Sequence, residues 1–200
     1  HPYHEDGYFH NSEEGLLPGE FNWDFDAIEV ANGFWSDANE KALRKAWELW
    51  NEGRRYVLTG GTDTHDVYTE LTSGIVRTYA YVEGSLRPQA FIEAIKAGRS
   101  YITYGPLIFP EQMFGETYVV REGDPFKLSF TLRSVDGIRD VKIIERGRTV
   151  AGMRMSEPPT KRYFNFELYP EENSWYSVLV EDVKGKLLIS NPIWIRLTRE

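Results

Sequence analysis

The chain has 200 residues, of which 41% are hydrophobic and 14% aromatic, enough to bury a core in one domain or in two small ones. Its 23 basic and 31 acidic residues give a net charge of −8, and no basic cluster is long enough to neutralise a row of phosphates, which argues against nucleic acid as a partner. With no cysteine, disulfides and thiolate metal sites are excluded, and any metal must be held by His, Asp or Glu.

No stretch approaches the roughly 18 apolar residues of a membrane span, and no leader pattern opens the chain, so a soluble protein without a membrane partner is expected, cytoplasmic or secreted. Zero cysteines suit either compartment. The first residue is His1, not Met, so the chain is expected to be a fragment of something longer.

Residues 1–22 are rich in Gly, Pro, His and acidic side chains without apolar periodicity and read as loop. Residues 25–30 read as a short strand. Ser36 or Asp37 can then cap a helix running to about Glu52, stopped by Gly53, with Leu43, Ala46, Trp47 and Trp50 forming one buried stripe. The apolar run 56–58 ends in Thr59-Gly60-Gly61, and a loop carrying Asp63, His65 and Asp66 comes next. Residues 75–82 look like a strand, Pro88 opens a helix that Gly98 stops, and residues 101–103 form another strand. This alternation predicts an α/β arrangement up to about Leu107.

Past Gly105-Pro106 the hydrophobic period becomes two. Phe126, Leu128, Phe130 and Leu132 alternate with polar residues, as do Phe164, Phe166 and Leu168. Further runs at 141–144, 176–180, 187–189 and 193–197 complete an expected β-sandwich. The expected domains are 1–108 and 109–200.

Among polar residues, Asp63 and His65 stand two apart, so on an extended segment both side chains leave the same face and can offer a carboxylate oxygen and an imidazole nitrogen to one cation. Asp-x-His alone equally reads as a turn cap beside a surface histidine. Its place after a buried strand and two glycines favours ligands, because α/β proteins bind at the C-terminal ends of strands. Glu29 and Asn32, at the end of the first strand, would support such ligands or touch a substrate, and Arg77 would clamp a substrate anion; a plain ion pair and a solvated arginine are the alternatives. His4 and His10 read as loop residues.

Taken in order, His1-Pro2, residues 25–33, Gly60-Gly61-Thr62-Asp63-Thr64-His65, residues 74–78, residues 93–101, Gly105-Pro106 and residues 191–195 resemble the PHP family (polymerase and histidinol phosphatase), in its CehA/McbA-type branch. The resemblance implies the C-terminal part of a PHP-type distorted β/α barrel followed by an Ig-like antiparallel β-sandwich. It also implies that His1, Asp63 and His65 are metal ligands for Zn, Mn or Fe. The family's early His-x-His motif has no counterpart here, so the implied cluster is incomplete. The function implied by the resemblance is that of a metal-dependent hydrolase fragment acting on a small-molecule phosphoester, or on a carboxylic or carbamic ester or amide, with its catalytic residues unassigned. Its implied partners are the missing N-terminal segment or a second chain, with a homo-oligomer expected from the open sheet edge. A rival reading is a non-catalytic binding module, in which the sandwich presents a row of exposed aromatics on an α/β scaffold. Copper chelation by an N-terminal His1 is the third.

Overall fold

The computed structural model describes residues 1–66, 68 and 72–199. The N-terminal segment is not all loop. Helix α1 (Tyr8–Glu13) begins after Gly7, where a Cβ would sit 2.4 Å from the Pro2 carbonyl oxygen, so only glycine lets the chain turn this tightly. Its Phe9 is buried and stacks on Phe21 at 5.2 Å, and this aromatic contact, not a helical apolar stripe, holds the segment down.

Strand β1 (Ala27–Asn32), helix α2 (Asp37–Asn51) and strand β2 (Val57–Gly61) form a β-α-β unit with β1 and β2 parallel. Helix α2 starts at a reciprocal cap: the Ser36 backbone N–H donates to Asn39 Oδ1 at 3.0 Å. Its buried stripe, Ala42, Leu43, Ala46, Trp47, Leu49 and Trp50, contains the residues that the sequence spacing picks out.

Strand β3 (Arg77–Ala80), helix α3 (Pro88–Lys96), strand β4 (Ser100–Thr103) and strand β5 (Leu107–Pro110) come next. The remaining strands are β6 (Thr117–Arg121), β7 (Phe126–Arg133), β8 (Ile138–Glu145), β9 (Arg148–Arg154), β10 (Lys161–Leu168), β11 (Ser174–Asp182), β12 (Leu187–Ser190) and β13 (Ile193–Thr198). The large sheet has the order β3-β4-β12-β11-β13-β6, with β8 on β11 and β9 on β8; the opposing sheet has the order β10-β7-β5. Between them Ile108, Leu128, Phe130, Leu132 and Phe164 meet Val141, Ile143, Tyr176, Val178 and Ile193 in one core. This is a β-sandwich.

The expected β/α barrel is therefore corrected. Among the described residues only β1 and β2 form a parallel layer under a helix, while β3 and β4 pair antiparallel with each other and, through β12, with the sandwich. The alternation of strand and helix along the chain carries no information on partners: β4 finds its neighbour some ninety residues away, and pairing at that distance leaves no local signature.

Among the described residues no strand is hydrogen-bonded along the β2 edge that faces the sandwich, and side chains satisfy it instead. Asn191 Oδ1 accepts from the Leu58 N–H at 2.7 Å, and its Nδ2 donates to the Leu58 carbonyl (3.3 Å), the Ser100 carbonyl (3.1 Å) and Ser100 Oγ (2.8 Å). Thr78 Oγ1 accepts from the Gly60 N–H and donates to the Gly60 carbonyl, both at 2.9 Å. Buried amides are thus paired where no ladder reaches them. Beside this seam Trp50 of α2 meets Trp175 and Trp194 edge-on, at 4.9 and 6.2 Å. No helix among the described residues is long and apolar enough to cross a membrane.

Candidate functional site

The residues singled out for metal binding fall into two groups. The amino group of His1 lies 3.4 Å from Glu29 Oε2, and that same oxygen accepts from Asn32 Nδ2 at 3.2 Å. Tyr3 anchors this end: it is buried, its hydroxyl donates to Glu13 Oε1 at 2.6 Å, and burial followed by the adjacent Glu13 carboxylate pushes that hydroxyl far above the usual phenol range. An open cavity of about 420 Å³ lies between His1, Asp24, Phe25 and Glu29.

Asp63 and His65 make the second group, with His65 Nε2 2.9 Å from Asp63 Oδ1. Asp63 has φ 55°, a left-handed conformation that Asp tolerates better than most residues. Thr62 fixes the backbone just before it, since its hydroxyl donates to the Val76 carbonyl at 3.2 Å and accepts from the Gly74 N–H at 2.9 Å. Both side chains face solvent, His65 at 82% and Asp63 at 45% exposure. Arg77, on β3, is also exposed.

Carboxylate and imidazole are suitable donors for Zn, Mn or Fe, but they do not assemble into a centre. Among the described residues no group of three or more His, Asp or Glu is placed to hold an ion. The expectation of a hydrolase metal centre assembled from His1, Asp63 and His65 therefore finds no support among the described residues.

The outward face of the three-stranded sheet presents a different site. Register aligns Phe109 of β5, Thr131 of β7 and Tyr163 of β10 in one row, and Leu107, Arg133 and Lys161 in the next. Phe109 is 46% exposed and Tyr163 54%, unusual for rings on a sandwich that buries most of its aromatics. The Arg133 guanidinium lies 5.5 Å from the Phe109 ring centre, and neither Arg133 nor Lys161 has a carboxylate within ion-pair distance among the described residues. On the inner face Phe130, Phe164 and Phe166 stack at 5.6 to 6.3 Å, which makes the platform stiff. The alternation from Phe126 to Leu132 already marks Thr131 as outward; Phe109 gives no such signal because β5 has only four residues and no clear alternation.

No protein-family model matches the chain, and no curated protein matches it. Solved structures similar to it include a superoxide reductase (neelaredoxin) from Ignicoccus hospitalis, 15% identical with a TM-score of 0.30, covering 48% of this chain and 82% of that one. Fibronectin(III)-like modules of Clostridium thermocellum CbhA are 16% identical with a TM-score of 0.30, over 47% of this chain and 96% of that one. A Jonesia denitrificans lytic polysaccharide monooxygenase is 9% identical with a TM-score of 0.33, over 76% and 93%. At such scores these likenesses carry no inference about function. The PHP-family resemblance is corrected: no family model supports it, and the chain folds as a β-sandwich with no barrel among its described residues.

Proposed function

We propose that the chain is a binding module, with the β-sandwich docking an extended glycan across Phe109, Thr131 and Tyr163 and the α/β layer serving as scaffold. The row of two exposed rings on a stiff sheet face is the observation that carries this reading. The rings stand on β5 and β10, two strand spacings apart, or roughly 10 Å. That separation suits every second sugar along an extended chain, and pyranose C–H groups stack on aromatic faces without needing a deep pocket. Retention on immobilised polysaccharides in native affinity gels is the test. Tyr163→Ala and Phe109→Ala are each expected to weaken retention at least about tenfold while leaving the melting curve unchanged. Undiminished retention in both variants would remove the platform from consideration.

A second reading rests on the Asp63–His65 pair, whose 2.9 Å contact and left-handed Asp63 backbone are independent of the sandwich face. In it the pair holds a divalent cation, with further donors coming from water or another chain. Calorimetric titration with Zn²⁺ or Mn²⁺ tests this. Asp63→Ala should abolish the heat of binding, and equal heats from variant and wild type would return Asp63 to the role of a turn residue.

A further inference from the structure

A second cleft lies where the end of α2 meets β11 and β13, and has a volume of about 590 Å³, within the usual range for small-molecule sites. Its floor is set by a cross-strand pair, Trp175 opposite Trp194. Arg55 lies over the Trp194 ring at 4.6 Å from the centroid and donates through Nη1 to Thr117 Oγ1 at 3.1 Å. Arg196 lines the same cleft two residues along β13 from Trp194, so both leave one face of the strand.

The charges are unequally matched. Arg146, at φ 50° in the two-residue turn between β8 and β9, is committed to Glu172, and Glu52 is 3.4 Å from Arg54. Arg55 and Arg196 have no carboxylate partner among the described residues, although the chain carries a net charge of −8. With Arg55 and Arg196 in one cleft and neither held by a carboxylate, two planar forks are available there to an oxyanion. Ser174, also in the cleft wall, has its hydroxyl buried without a hydrogen-bond partner among the described residues, and such groups call for an explanation.

We infer that this cleft binds a small organic oxyanion, its carboxylate or phosphate held by Arg55 and Arg196 and its body resting against the Trp194 edge of the cleft. The site is separate from the Phe109–Tyr163 platform and does not depend on it.

The test is titration of the full chain with citrate and with pyrophosphate, monitored through the indole N–H resonances of Trp175 and Trp194. One or both probes should shift these two resonances saturably, and the effect should weaken with added salt. The arm that saturates at lower concentration identifies the group as carboxylate or phosphate. Arg196→Gln, at an exposed position that leaves the fold intact, should weaken binding at least about tenfold, since a charge-assisted hydrogen bond is lost. Arg55→Gln should do the same, with near-UV circular dichroism confirming native packing. The proposal is overturned if neither probe moves the indole signals, or if Arg196→Gln, natively folded, binds as tightly as wild type.

Discussion

Asn191→Ala is expected to lower folding stability by about 3 kcal/mol or more, seen as a fall in denaturant midpoint at unchanged slope. The side chain is fully buried and contacts the Leu58 N–H and carbonyl as well as the Ser100 carbonyl and hydroxyl. Truncation to alanine removes the side-chain partner of the buried Leu58 N–H and carbonyl and of the Ser100 hydroxyl, while the Ser100 carbonyl keeps the Asn191 backbone N–H, and each orphaned group costs about 1–3 kcal/mol. Asn191→Leu should be no better, because restoring volume does not restore donors or acceptors. If urea melts of Asn191→Ala and wild type coincide within about 1 kcal/mol, the seam is held by apolar packing and not by this amide.

Trp50→Ala is next in expected size, at about 3–5 kcal/mol, the usual cost of removing a buried indole. Trp50 is 2% exposed, meets Trp175 and Trp194 edge-on, and donates through Nε1 to the Tyr56 carbonyl at 2.8 Å. It belongs to α2, whereas its aromatic partners belong to β11 and β13, so its loss should loosen the helix from the sandwich. Phe at this position should recover much of the loss, because the ring contact survives while the hydrogen bond does not. A drop below about 1 kcal/mol for the alanine variant would mean that the layers cohere through other contacts.

Much of this architecture is legible in the residues. The stripe Leu43, Ala46, Trp47 and Trp50 locates α2 and its buried face, Pro88 and Gly98 bracket α3, and the two-residue alternation after Gly105 announces the sandwich. Partners are not legible. Residues 77–80 and 100–103 read as members of an α/β layer, yet their hydrogen bonds run to each other and, from β4, to β12. A motif such as Asp63-Thr64-His65 records the spacing of donors along the chain and says nothing of whether a third donor arrives, and none does among the described residues. The Phe109–Thr131–Tyr163 row shows the same limit, since it exists only after three strands have found their register. The Arg55–Trp194 cleft likewise joins residues about 140 positions apart.

The sealing of β2 by Asn191 has a consequence for how the polypeptide comes into being on the ribosome. Residues 27–61 emerge before the sandwich strands and can form a helix on two strands, but the Leu58 amide stays unmet until position 191 has been synthesised. Closure must therefore wait for nearly the whole of this stretch of chain, and contacts of such long sequence separation slow folding. Premature termination shortly before residue 191 would release a polypeptide in which neither layer is finished.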